Sequence, residues 1–129
     1  MKLEHVAINI PEPAAAAQWW AENLGMRIVV AGKESPFAHF IVDSDNTSMM
    51  EFYNNPAAPL PDYAAIDPFN LHIAFSSDDI AADRARLISA GAAAVNEITP
   101  TPAGDQLCFL RDPWQVPFQL VQRKKPMLG

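Results

Sequence analysis

Leu3-Glu4-His5-Val6-Ala7-Ile8-Asn9 and Asn70-Leu71-His72-Ile73-Ala74-Phe75-Ser76 read as one pattern written twice, 67 residues apart. The same offset sets Ala7 on Ala74, Ala14 on Ala81 and Ala15 on Ala82, and an offset of 66 sets Gly25 on Gly91. The identities are few, but each falls at an equivalent place in a run of similar signals. Self-similarity at that period implies two half-domains, each about the length of one supersecondary unit.

Each half carries the signals in one order. Leu3–Ile10 alternates with period two, as a half-buried strand does. Pro11-Glu12-Pro13 breaks the strand and presets a helix start, because proline is tolerated in the first helical turn. Ala14–Leu24 is built of good helix formers, with Ala16, Trp20 and Leu24 on one face, and Gly25 is its stop. Three β segments follow, Met26–Val30, Phe37–Val42 and Ser48–Asn54, separated by turn residues. In the second half Leu71–Ser76 is the strand. Ser77, Asp78 and Asp79 supply a cap and an acidic first turn for the helix Ile80–Ala90, and Gly91 ends it. Ala93–Ile98, Gln106–Leu110 and Pro117–Arg123 are the remaining β segments. The spacing therefore predicts an α+β fold of two tandem βαβββ modules, residues 1–54 and 69–123, whose curved mixed sheets form a cleft. Asn55–Pro68, with four prolines, is a stiff extended connector, and residues 124–129 are a C-terminal tail.

Composition narrows the function. A length of 129 residues suits one domain with its own core. Only 19% of residues are charged, too few for a disordered acidic chain. Nine Lys and Arg against fifteen Asp and Glu leave a net charge of -6, which argues against nucleic acid or an anionic membrane as partner. Arg123-Lys124-Lys125 reads as a solvated tail. One cysteine, Cys108, excludes an internal disulfide and a Cys-rich zinc cluster. No apolar run approaches a membrane span and the N-terminus has no signal-peptide core, so the expectation is a cytoplasmic protein.

Alternation also sorts the side chains by face. Val6, Ile8 and Ile10, Met50 and Phe52, Leu71, Ile73 and Phe75, and Phe118 and Leu120 are the sets expected to pack on the helices. His5, Glu51, His72 and Gln119 then share the opposite faces. His5 to Glu51 is 46 residues and His72 to Gln119 is 47. Pseudo-twofold pairing of the modules would bring two imidazoles, a carboxylate and an amide oxygen together, a plausible donor set for a six-coordinate divalent metal with open water positions. Tyr53 and Arg123 fall on the same faces, where Tyr53 offers a hydrogen bond to a bound oxygen and Arg123 a partner for a carboxylate. His39 has no counterpart histidine, Trp19 and Trp20 read as packing residues, and Cys108 as a buried strand residue. No serine-nucleophile motif, P-loop or dinucleotide glycine pattern appears.

Leu3-x-His5-Val-Ala-Ile, Trp20-Ala-Glu-Asn-Leu24-Gly25-Met, Met50-Glu51-Phe, Leu71-His72-Ile-Ala-Phe and Asp112-Pro113-Trp-x-x-Pro-Phe-Gln119-Leu together resemble the vicinal oxygen chelate superfamily over nearly the whole chain. That group holds glyoxalases, extradiol dioxygenases, epimerases, thiol transferases and bleomycin-resistance proteins. The resemblance implies a small-molecule substrate, a homodimer, and a divalent metal (Zn, Ni, Co, Fe or Mn) held by His5, Glu51, His72 and Gln119. It implies lyase or isomerase chemistry of the lactoylglutathione lyase kind, for which Glu51 is the only base candidate among the four. An extradiol-type dioxygenase, and a metal-free protein that binds an antibiotic or other small molecule, are the alternatives. Two departures stand out. Gln119 occupies a position where glutamate is usual, and it cannot take up a proton at neutral pH. Gln115 replaces the glycine of the usual Asp-Pro-x-Gly turn, so that loop is expected to take another path.

Overall fold

The computed structural model describes residues 1–128. The chain divides into two compact units, Met1–Pro61 and a second from Asp62 onward, with the boundary inside the proline-rich connector. None of the helices among the described residues is long and apolar enough to cross a membrane.

In the first unit, β1 (Val6–Asn9), β2 (Arg27–Ala31), β3 (His39–Val42) and β4 (Met49–Tyr53) form a mixed sheet in the order β1-β4-β3-β2. β1 and β4 are parallel, and β3 is antiparallel to both its neighbours. The helix α1 (Pro13–Asn23) begins at a proline, whose missing N–H would be unpaired there anyway. It buries Ala16, Ala17 and Trp20 on one stripe. The Leu24 N–H bonds to the Trp20 carbonyl, and Gly25 takes φ +67°, the left-handed turn that a side chain would resist. Trp20 meets Phe52 edge to face at 4.8 Å, with both side chains fully buried, so β4 and α1 share one core.

In the second unit, β5 (Ile73–Ser76), β6 (Ala93–Ala94), β7 (Thr99–Pro100), β8 (Gln106–Arg111) and β9 (Pro117–Gln122) make a five-stranded sheet in the order β5-β9-β8-β6, with β7 also on β8. β5 and β9 are parallel, repeating the β1–β4 pairing. The helix α2 (Ile80–Ser89) is capped by Asp79, whose carboxylate accepts from the Ala82 N–H at 3.1 Å. The Gln122 side chain accepts from the Ile80 N–H at 2.8 Å, tying the helix start to β9. Between α1 and α2 lies a short 3-10 helix, Tyr63–Ala65.

Two expectations change. Of Ala93–Ile98 only β6, Ala93–Ala94, is strand, and the chain pairs again only at β7, beyond the expected end. The interruption centres on Asn96, whose side-chain oxygen accepts from the Phe109 N–H at 2.8 Å in place of a backbone carbonyl. Arg84 donates to the Asn96 carbonyl at 3.1 Å and holds the break. Val6 and Leu71, expected to pack on the helices, are 46% and 44% exposed. Both precede or open an end strand, β1 or β5, whereas α1 lies over β2, β3 and β4 and α2 over β9. Met50, Phe52, Phe118 and Leu120, on the inner strands, are buried as expected.

Candidate functional site

The two units build the same local arrangement. In the first, Ala7 is level with Glu51 across the parallel β1–β4 pair, and His5, two residues earlier, shares that face. The His5 Nε2 lies 3.6 Å from a Glu51 carboxylate oxygen. The Glu51 side chain is only 15% exposed, so this approach lies in a partly shielded place. The His5 ring stands edge-on to Phe40 at 5.4 Å, and Phe40 is the direct register partner of Glu51 on β3.

In the second unit Ala74 is level with Gln119 across β5–β9, and His72 again lies two residues earlier. Its ring stands edge-on to Phe109 at 5.0 Å, and Phe109 is the direct partner of Gln119 on β8. Each histidine is thus held against a phenylalanine whose cross-strand neighbour is the acid or the amide. Phe40 and Phe109 escape a reading centred on polar residues. The signal was available as Phe40-Ile41 against Phe109-Leu110, 69 residues apart, close to the 67 that separates the histidines.

The second ring nitrogen of each histidine has a partner of its own. His72 Nδ1 lies 2.6 Å from the Pro68 carbonyl. A carbonyl only accepts, so Nδ1 carries the proton and Nε2 keeps its lone pair. His5 Nδ1 bonds the Glu4 carboxylate, which imposes the same tautomer on the neutral ring. That hydrogen bond, opposed by partial burial and reinforced by the Glu4 and Glu51 charges, holds the His5 imidazole above its ordinary pKa. Anchoring of one ring nitrogen by an acceptor is what fixes an imidazole for ligation through the other.

By type, two imidazoles each anchored at Nδ1, a carboxylate and an amide oxygen fit a borderline divalent cation. Each unit by itself supplies one imidazole with one acid or amide. Among the described residues there is no group of three or more His, Cys, Asp or Glu side chains that could hold a metal ion.

The other residues singled out by sequence divide. Tyr53 stands two residues beyond Glu51 on β4 and is half-buried. Arg123 lies just past β9, and its guanidinium donates to Asp105 at 2.8 Å. His39 is buried opposite Phe52, on the helix side, with Nδ1 2.7 Å from the Phe37 carbonyl. Cys108 is fully buried, and burial pushes its thiol up, away from reactivity. The turn before β9 keeps a glycine-like backbone, for Gln115 takes φ +72° itself. Asp112, fully buried, accepts from the Trp114 and Val116 N–H groups at 2.9 Å and organises that turn. A cavity of about 500 Å3 in the second unit is lined in part by Pro68 and Phe109, the two residues against which His72 is held.

A family model described as Glyoxalase/Bleomycin resistance protein/Dioxygenase superfamily matches residues 2–120. Among solved structures, a glyoxalase family protein from Bacillus cereus is similar with a TM-score of 0.79 at 20% identity, over 95% of this chain and 93% of that one. TnmS3, an antibiotic binding protein from Streptomyces sp. CB03234, is similar with a TM-score of 0.69 at 18% identity, over 96% and 99%. A glyoxalase I mutant from Zea mays is similar with a TM-score of 0.75 at 19% identity, over 96% of this chain and 46% of that one. At these identities the likeness is one of fold. No curated protein matches the chain.

Proposed function

The chain belongs to the Glyoxalase/Bleomycin resistance protein/Dioxygenase superfamily, and from that membership we propose that it is a divalent-metal-dependent enzyme of lyase or isomerase type. Its substrate in this reading is a small molecule with two adjacent oxygens. The observation that carries the proposal is the twice-built arrangement of histidine, phenylalanine and acid or amide, with each histidine anchored through Nδ1. His5, Glu51, His72 and Gln119 would hold Zn, Ni, Co, Fe or Mn. When bound, such a cation supplies Lewis acidity toward substrate oxygens.

The chain's own residues then have distinct parts. Glu51 is the one carboxylate of the four, so it takes and returns the proton beside the substrate carbonyl. Its neighbour His5, with Nε2 3.6 Å away, places the two donors of the first unit side by side. Gln119 offers an oxygen lone pair and no basic site, so the second unit fixes geometry and does not exchange protons. Tyr53, on the Glu51 face, is the candidate donor to a substrate oxygen. Arg123 reaches a substrate carboxylate only by leaving Asp105. The protein is read as a homodimer, which gives the donors of one unit a second chain to pair with as well as their own.

A metal-free small-molecule binder is the second reading. It draws on the lack, among the described residues, of a group of three acidic, histidine or cysteine side chains able to hold an ion. The likeness to an antibiotic binding protein points the same way.

Elemental analysis of protein prepared without a metal-affinity tag separates the two. The enzyme reading expects about one transition-metal ion per donor set. His72→Ala should lose it while the fold persists, and Gln119→Glu should hold it more tightly in equilibrium dialysis, because the set then carries a second negative charge. A chain that takes up no metal, with wild-type stability in both variants, would overturn the enzyme reading in favour of the binder.

A further inference from the structure

We propose that the cavity of the second unit is an anion-reading pocket for a small amphipathic ligand, a carboxylate on an apolar or aromatic body, with Arg111 as the residue that recognises the charge. The inference rests on reading this sheet face as the ligand face of the protein; it does not require a metal to be there.

The cavity, about 500 Å3, lies within the roughly 300–1,000 Å3 typical of small-molecule sites. Phe109 and Arg111 alternate along β8, so Arg111 shares the face of Gln119 and of the His72 ring. The guanidinium is half-buried and held by carbonyls alone. Nη1 donates to Tyr63 at 2.8 Å and to Gln115 at 3.2 Å, and Nη2 donates to Ile66 at 2.8 Å. Three of its five N–H groups are thus used. The Nε–H and one Nη2–H have no partner among the described residues. Nor, among those residues, does any carboxylate stand within ion-pair distance of Arg111.

Carbonyl partners position a guanidinium without cancelling its charge, and the free donors are of the kind that take a carboxylate through two parallel bonds. The second polar side chain points the same way. The Asn96 oxygen is occupied by the Phe109 N–H, which leaves its amide NH2 as a donor. Both side chains therefore offer donors, and the complementary ligand is rich in acceptors. Phe69, 81% exposed and edge-on to Phe109 at 5.3 Å, and Val95, 43% exposed, present apolar surface that an aromatic body would cover. Asp67 is the one acid on the rim. Its carboxylate is turned to the Phe69 N–H at 2.9 Å. A clamp that merely pins Tyr63 and Ile66 over β8 accounts for the bonded edge of Arg111 and leaves the open edge without a role.

The test is calorimetric and NMR titration of the full chain in the presence of a chelator, with phenylacetate and its neutral isostere phenylacetamide as probes. Phenylacetate should bind saturably, moving the Arg111 Nε–H resonance and the Phe69 and Phe109 rings. Phenylacetamide should bind about tenfold more weakly. Two rim variants leave the Arg111 clamp intact. Val95→Asp, which removes apolar surface and adds a negative charge, should weaken phenylacetate about tenfold and phenylacetamide clearly less, and Asp67→Asn, which keeps the bond to the Phe69 N–H, should tighten phenylacetate about threefold with phenylacetamide little changed. Equal affinity for the two probes, no binding of either in the millimolar range, or a carboxylate preference indifferent to both variants would each overturn the proposal. Because the titration is metal-free, its failure leaves the metal-uptake result standing, and the reverse holds as well.

Discussion

Gln115 carries backbone strain in a single residue. It holds φ +72° in the turn that Asp112 organises, and its carbonyl accepts from Arg111 at 3.2 Å. A residue with a Cβ in that region costs about 1–2 kcal/mol, against roughly 0.5–1 kcal/mol of chain entropy lost with glycine. Gln115→Gly is therefore expected to stabilise the protein by about 0.5 kcal/mol, read as a higher urea midpoint at unchanged slope. A lower midpoint would show that the Gln115 side chain contributes packing that outweighs the strain. The substitution was legible in the sequence as a departure from Asp-Pro-x-Gly; the positive φ that Gln115 takes, in a turn bonded to Asp112, came with the structure.

Asp105 has a different residue-scale consequence. The Lys124 backbone N–H and the Arg123 guanidinium both bond its carboxylate and hold it below the usual carboxylate range. A depressed folded-state value contributes stability above the unfolded pKa of about 3.9, and that contribution is lost as pH falls through the folded value. Asp105→Asn should therefore lower the melting temperature at neutral pH, with the gap from wild type closing in acid below the normal carboxylate range. A gap that stays constant across the acid limb of a thermal-melt series would show that neutral hydrogen bonding, and not the charge, does the stabilising.

At the scale of elements, helices were easier to read than strands. α1 and α2 fall within a residue of their expected spans, because proline, aspartate and glycine punctuate them locally. The strand expected at Ala93–Ile98 was not recoverable. Nothing in Val95-Asn96-Glu97 announces that an asparagine side chain will replace a ladder carbonyl opposite Phe109, thirteen residues away. Asn96→Ala should leave the Phe109 N–H unpaired and cost about 1–3 kcal/mol. Hydrogen exchange at that amide should quicken in step. If Phe109 stays protected, β6 and β7 have joined into one regular strand and the break belongs to Asn96 alone.

At the scale of the whole molecule, the first sheet ends on β1 and β2, and Val6, Val29 and Val30 are exposed on those end strands. Apolar residues on open sheet edges favour association. Light scattering should find about twice the 14.1 kDa chain mass, and a Val29→Lys, Val30→Lys double variant should shift the protein toward monomer without loss of secondary structure. A wild-type protein that stays monomeric at high concentration would remove the homodimer from the functional reading.

The repeat, the helix positions, the identities of the four candidate site residues and the face each occupies were determined by the sequence itself, because period-two alternation and turn chemistry are local and survive without knowing what lies beside them. The pairing of His5 with Glu51, the phenylalanines behind both histidines, the Pro68 carbonyl that sets the His72 tautomer and the open edge of Arg111 came only with the tertiary structure. Each depends on register between strands tens of residues apart and on which backbone groups remain unpaired after folding. Those are properties of the assembled sheet, to which no single stretch of chain has access.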